Sequence, residues 1–300
     1  MKQLKFISYN IRVDHEQDKS TENEWSNRKD KTIQTIKRHN ADIIALQEPN
    51  VKQVEDIKNA FEANFTWICA KASDKAYEDY NLFKSEQHRE TQTIGFNNNL
   101  FRLINHGRFW LAEDPVSEPT SPAYDGSIFS RVAVYVSLLE ISTGKRLCVI
   151  TSHFDHVGLQ ARINSAKLLV KKAVELSKNE FAFIISGDFN TFQNDNGPLV
   201  YDAFKSQFDL ITDVRDATAN ITGPESTWVG WEYNNFNEKQ MELNMPGIPS
   251  RWDHIFISKY NIKVSSTEVC DDKYEIEWNG GTKTEYPSGH RPMIMDFELI

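Results

Sequence analysis

The sequence predicts an α/β protein. Two observations predict it: short apolar runs of strand character recur along the 300 residues, and segments of helical period separate them. A chain of this size buries roughly 75% of its unfolded surface, so its core needs neither a disulfide nor a structural metal.

KFISYNI (5–11) is the first predicted strand. A helix near 24–39 follows, marked by Trp25, Ile33 and Ile36 on one stripe. DIIALQ (42–47) is the second strand, and Val51, Val54, Ile57 and Phe61 mark a helix near 50–63. TWICA (66–70) and TIGFN (93–97) read as strands. Segment 108–127 carries Pro115, Pro119, Pro122 and Gly126 and reads as a long excursion. RVAVYVSLLEI (131–141) alternates, as a strand with one polar face does, whereas RLCVITSHF (146–154) and FAFIISGDF (181–189) are nearly continuous apolar runs. Such runs indicate strands covered on both faces. Between them Ala161, Ala166, Leu169, Val170 and Val174 mark a helix near 158–177. A second excursion spans 218–252, with Gly223, Pro224, Gly230, Pro246, Gly247 and Pro249. HIFIS (254–258), NIKVSSTEV (261–269) and RPMIMDFEL (291–299) complete the strands. No repeat, low-complexity tract or linker divides the chain, so 1–300 is expected to form a single domain.

Composition narrows the function classes. Lys and Arg number 34 against 43 Asp and Glu, a net charge of −9. Non-specific nucleic-acid binding is mostly phosphate neutralisation, so this balance disfavours a long polynucleotide partner. Cys69, Cys148 and Cys270 are far apart and form no CxxC pair, which excludes a zinc ribbon and fits reduced thiols. No apolar run reaches the roughly 18–20 residues of a membrane span. The start MKQLKFISYNIR lacks the apolar centre of a signal peptide, so a cytoplasmic location is expected.

Chemistry-bearing residues sit where apolar runs end. The first strand ends on Asn10, the second on Glu48, CVITSHF on His153, and FIISGDFN on Asp188 and Asn190; Asp253 precedes HIFIS and His290 precedes RPMIMDF. A carboxylate beside an apolar run is costly unless water, a metal or a cation meets it. Such placements suggest the rim of one pocket. Glu48 with Asn10 offers hard oxygen donors suited to Mg²⁺ or Mn²⁺, two histidines offer proton transfer, and Asp188 and Asn190 offer a water-holder and a donor to an anionic oxygen. Together they fit phosphoester hydrolysis. Each residue also has a plainer reading: Asn10 as a turn cap, His153 as a satisfied core histidine, Asp253 as the partner of Arg251. His156, three residues after His153, lacks the HExxH spacing of a zinc site and reads as structural. TWVGWEYNNF (227–236) reads either as an aromatic platform for a base or sugar or as an apolar loop laid on the core. Met241 and Met245 read as loop packing.

SYNIRVD (8–14), ADIIALQE (41–48), TSHFDHVG (151–158), SGDFN (186–190), RWDHIF (251–256) and YPSGHRPM (286–293) stand in the order seen in the endonuclease/exonuclease/phosphatase superfamily, which this chain resembles over nearly its whole length. WSNRKDKTIQTIKRHNADIIALQE and GRFWLAEDP (107–115) look closest to a small bacterial branch. The resemblance implies a four-layer α/β sandwich of the DNase I type and a divalent-metal hydrolase. It implies that Asn10 and Glu48 belong to the metal site, and that Asp188 and Asn190 position the attacking water and the phosphoryl oxygen. It implies that Asp253 orients His290, that His153 is a second imidazole with Glu90 as its partner, and that Arg131 faces the phosphate. The family's last motif is usually Ser-Asp-His; here it is Ser288-Gly289-His290, so one carboxylate is missing. A small phosphodiester or phosphomonoester is the expected substrate. A nuclease or deadenylase-like exonuclease, and a weakly active or non-catalytic binding module motivated by Gly289, are the alternatives.

Overall fold

Apolar side chains fall on both faces of the central strands, and each face finds its own cover. A computed structural model describes residues 2–61, 63–71, 90–119, 127, 130–178, 182–191, 199–206, 210–229, 231 and 251–300. Its strands are β1 (Leu4–Asn10), β2 (Ile43–Gln47), β3 (Phe65–Lys71), β4 (Thr91–Asn97), β5 (Phe101–Trp110), β6 (Val132–Glu140), β7 (Arg146–His153), β8 (Ala182–Asp188), β9 (Ile211–Asp213), β10 (Ile221–Thr222), β11 (Asp253–Ser258), β12 (Ile262–Val269), β13 (Tyr274–Trp278), β14 (Gly281–Glu285) and β15 (Met293–Leu299). Its helices are α1 (Trp25–Arg38), α2 (Val51–Ala60), α3 (Leu159–Ser177) and α4 (Leu199–Lys205).

Seven strands form one mixed sheet in the order β10-β12-β15-β1-β2-β4-β3, and six form another in the order β5-β6-β7-β8-β11-β9. Phe6, Ile43, Ile94 and Met295 from the first sheet share one buried cluster with Val134, Val149, Ile184 and Ile255 from the second. Ile7, Tyr9, Ile44 and Leu46, on the other face of the first sheet, pack with Trp25 and Ile36 of α1 and Ile57 of α2. Ile150, Phe183 and Ile185 on the outer face of the second sheet pack with Leu169 of α3 and Phe204 of α4. The result is four layers, helix–sheet–sheet–helix, which explains why β1, β2, β7 and β8 read as unbroken apolar runs.

The predicted strands and the three long helices are present. Six elements escaped sequence reading. β5 is a sheet-edge strand with both exposed and buried residues and a register shift between Leu103 and Asn105, so its alternation is broken. It also takes up the start of the 108–127 excursion. β13 and β14 form a separate ribbon whose residues are mostly exposed or half-buried, so they lack an apolar stripe. β9, β10 and α4 are too short for periodicity to register.

Topology brings the strand ends together. β1 runs parallel to β2 and β7 parallel to β8, so Asn10, Glu48, His153 and Asp188 leave their sheets in one direction. β11 is antiparallel to β8, and Asp253 pairs with Asp188 in register. β15 is antiparallel to β1, which brings the segment before it, with His290, to the same edge.

Gly187 is fixed by close packing. Its φ is 150°, and a Cβ there would lie 1.9 Å from the Ser152 carbonyl oxygen of β7. Gly187→Ala is therefore expected to cost roughly 2–3 kcal/mol in urea unfolding. Gly281→Ala, where the nearest atom would lie 4.0 Å from the new Cβ, is expected to stay within about 0.5 kcal/mol of wild type.

Candidate active site

At the ends of the strands the backbone turns through strained conformations. Arg12, Glu48 and Asn190 have positive φ values of 53°, 69° and 48°. None is glycine, so each is held by its surroundings. Glu48 enters α2 through Pro49 and Asn50, whose side chain closes a capping box with Gln53. Gln53 also donates to the Arg12 carbonyl at 2.9 Å and accepts from the Asp14 N–H at 3.0 Å, which fixes the loop after β1.

Asn10 lies between two carboxylates. Its Nδ2 donates to Glu48 at 2.7 Å and to Asp188 at 2.9 Å, while its Oδ1 accepts the Arg12 N–H at 2.9 Å. It thus caps the turn and joins the two sheets at once. Glu48 also accepts the Val13 N–H at 3.1 Å.

Asp188 is buried between two imidazoles. His153 Nε2 lies 3.6 Å from its Oδ2 and His290 Nε2 lies 3.5 Å away, while its Oδ1 accepts the Asn190 N–H at 2.9 Å. Burial opposes the charged carboxylate, but the two histidines and these hydrogen bonds outweigh it and hold Asp188 below the usual range.

His290 donates through Nδ1 to Asp253 at 2.8 Å. Burial opposes the imidazolium, yet Asp253 and Asp188 outweigh it and raise His290 to about 10. At neutral pH His290 is therefore a cation. Asp253 is held by the Thr227 hydroxyl, which accepts the Trp252 and Asp253 N–H groups at 3.0 and 3.1 Å. The plainer reading of Asp253 as a partner of Arg251 gives way here: Arg251 lies 3.9 Å from Asp213. The second oxygen of Asp253 is buried with no hydrogen-bond partner.

His153 anchors the other flank. Its Nδ1 lies 3.1 Å from Arg131 and 3.3 Å from Glu90, and its Nε2 lies 2.9 Å from the Asn190 amide nitrogen, which also donates to the Phe154 carbonyl at 3.0 Å. Burial and Arg131 lower the His153 pKa, but Asp188 and Glu90 raise it further, and the net shift is upward. Glu90 is paired with Arg131 at 2.6 Å. Burial again opposes ionisation, and Arg131 and His153 overcome it to hold Glu90 at about 2.

Every site residue named from the sequence therefore lies in one polar cluster. Two hydroxyls were missed. Thr227 holds the Asp253 backbone, and Ser288 donates to the Asn10 carbonyl at 2.7 Å. Their one sequence signal is adjacency to named motifs. Of the aromatic stretch, Trp228 is buried, stacks on Trp252 at 4.6 Å and forms a β-bridge with His290, so it belongs to the wall of the cluster. Tyr233 and Phe236, like Met241 and Met245, lie outside the described residues. His156 is exposed. Cys69, Cys148 and Cys270 are free thiols, and burial pushes Cys148 and Cys270 up to about 12.

Glu48, His153 and Asp188 present ligand atoms within 4.8 Å of one another, as do Asp188, Asp253 and His290. Carboxylate oxygens with imidazole and no thiol suit a hard or borderline divalent cation. A Cβ at Gly289 would meet Trp231 and Arg12 at 3.7–3.9 Å, ordinary contact distance, so a Cβ is accommodated there.

Asp253→Asn removes the largest of the three charges that raise His290. The His290 imidazole is expected to stay protonated across pH 6–8 in wild type. In Asp253→Asn its titration, followed by NMR of the ring signals, is expected to fall by about one unit or more.

Residues 7–273 match the family model described as the endonuclease/exonuclease/phosphatase family. A Bacteroides thetaiotaomicron mannosyl-6-phosphatase is 26% identical, with a TM-score of 0.81 over 99% of this chain and 100% of that one. An endonuclease/exonuclease/phosphatase family protein of the same organism is 25% identical, with a TM-score of 0.81 over 99% of this chain and 97% of that one. The protein R895 of Acanthamoeba polyphaga mimivirus is 26% identical over 251 residues, which are 77% of this chain and 35% of that protein.

Proposed function

This chain belongs to the endonuclease/exonuclease/phosphatase family, and from that premise we propose that it is a Mg²⁺- or Mn²⁺-dependent hydrolase of small phosphoesters. One observation carries the reading. The anionic Asp188 is held between two imidazoles at 3.5 and 3.6 Å, with Glu48 linked to it through the Asn10 amide. Such a set binds an anionic oxygen and a water side by side.

Glu48 would hold the cation, with Asn10 beside it. Turning the Asn10 amide by half a turn would bring its oxygen to the Glu48 side, at the expense of its bonds to Glu48, Asp188 and the Arg12 N–H, so a cation would have to replace the donor between the two carboxylates. When bound, the cation would polarise a phosphoryl oxygen. Asp188, ionised at neutral pH, orients the attacking water and receives its proton as the bond to phosphorus forms; the bond from phosphorus to the ester oxygen breaks, and the leaving oxygen takes a proton from water. Asn190 donates to a phosphoryl oxygen. His290, cationic and fixed by Asp253, stabilises the charge that develops on the phosphoryl group. His153, held by Glu90 and Arg131, places a second imidazole on the other flank of Asp188. No side chain is asked to form a covalent intermediate.

Substrate size follows from charge. The net charge of −9 disfavours a long polyanion, and the mannosyl-6-phosphatase likeness points to sugar phosphates as the first class to test. The nuclease reading predicts steep loss of turnover with salt, whereas small-phosphoester turnover should change little. Among the described residues no helix is long and apolar enough to cross a membrane.

The deciding experiment is hydrolysis of a hexose 6-phosphate, an aryl phosphodiester and an oligonucleotide with Mg²⁺ or Mn²⁺. Glu48→Ala is expected to abolish metal-dependent turnover; retained turnover would overturn the assignment. Gly289→Asp, whose Cβ is accommodated, is expected to tighten Mn²⁺ binding by calorimetry roughly 10-fold, since one more hard ligand joins the site. A binding module without catalysis would show metal binding but no turnover of any of the three substrates.

A further inference from the structure

Arg28 lies on α1, one turn after Trp25, at a position that the helix turns inward with Thr32 and Ile36. It is fully buried. A charge in that position is costly unless its donors are all engaged. Arg28 Nη1 donates to the Ile11 carbonyl at 2.6 Å and reaches the Pro287 carbonyl at 3.4 Å. Its Nη2 donates to the Arg12 carbonyl at 2.7 Å, and its Nε to the Asn23 carbonyl at 2.9 Å. The guanidinium also lies over the Trp25 ring at 4.9 Å and the Trp231 ring at 5.5 Å. One turn on, the Thr32 hydroxyl donates to the same Pro287 carbonyl at 2.8 Å.

Those carbonyls belong to two loops. Ile11 and Arg12 follow Asn10, and Pro287 precedes Ser288, Gly289 and His290. Neither loop contains the other's site residue, and the two are more than 270 residues apart in sequence. Among the described residues, α1, through Arg28 and Thr32, and the Ser288 hydroxyl on the Asn10 carbonyl span them.

We propose that Arg28 is a positioning residue whose guanidinium clamps the Asn10 loop to the His290 loop and so sets the spacing of the catalytic groups. The planar fork is what the task requires. Its donors diverge in one plane and meet several carbonyls at once, whereas a lysine ammonium is a single point with a different reach. Burial, with the Arg12 charge nearby, lowers Arg28 only to about 10, so it keeps its charge at neutral pH. The catalytic consequence rests on the phosphoester-hydrolase reading; the clamp itself does not.

The test uses Arg28→Lys and the gentler Thr32→Val, which removes the hydroxyl's bonds to the Pro287 and Arg28 carbonyls, beside Ile36→Val, which loosens the same helix without touching the clamp. Three readouts are taken: steady-state kinetics with Mn²⁺, the thermal midpoint, and amide hydrogen exchange. Arg28→Lys is expected to lower kcat roughly 10- to 100-fold with KM within about threefold, and Thr32→Val to fall between it and wild type. Exchange is expected to quicken at residues 11–13 and 288–290 and to stay unchanged in β7 and β8. Ile36→Val, at a similar loss of thermal midpoint, is expected to keep kcat within about twofold of wild type. The proposal is overturned if Arg28→Lys and Thr32→Val keep wild-type kcat, if Ile36→Val loses as much, or if exchange quickens evenly through the chain. Should the wild-type protein turn over none of the phosphoesters, the functional reading fails, and the exchange pattern alone still decides whether Arg28 clamps the loops.

Discussion

A carboxylate buried at the edge of a sandwich must be matched by donors, and here the donors come from the opposite sheet. Asp188 ends β8 in the six-stranded sheet; Asn10, which donates to it, ends β1 in the seven-stranded sheet. His290 stands just before β15 of the seven-stranded sheet and donates to Asp253 of β11 in the other. Two polar contacts therefore cross from sheet to sheet at one edge. Loss of one partner would leave an uncompensated buried charge, which is more costly than the intact pair is favourable. The site is thus also a fastening of the fold.

Beneath this edge the apolar core between the sheets sets their separation. Phe6, Ile43, Val149 and Ile184 fill that layer, and well-packed interiors resist small displacements. Parallel pairing of β1 with β2 and of β7 with β8 brings four polar strand ends to the same side. Strained turns at Arg12, Glu48 and Asn190 then aim the side chains inward. The protonation states follow from that arrangement. Asp188 and Glu90 are kept anionic by neighbouring cations, and His290 is kept cationic by two carboxylates.

Legibility in the sequence had a physical basis and a limit. Asn10, Glu48, His153 and Asp188 stood out because each interrupts an apolar run where a strand leaves its sheet. Asp253 and His290 stood out for the converse reason, preceding such a run. Glu90 was visible only through family likeness, because its partners Arg131 and His153 are distant in sequence. β5 and the β13–β14 ribbon were hidden since edge and exposed strands carry no clean alternation. Arg28 was passed over because a cation on a helix reads as a solvated face, although its spacing from Trp25, Thr32 and Ile36 marks the buried stripe.

The sequence by itself determined the α/β class and the positions of the chemistry, since both are written in local patterns: apolar period and the residue that ends it. Only the tertiary structure decided which groups meet. It paired Asp253 with His290 and left Arg251 beside Asp213. It also turned Arg28 into a bridge between loops from opposite ends of the chain. Those choices depend on distances set by sheet separation and strand register, and no local stretch of sequence carries them.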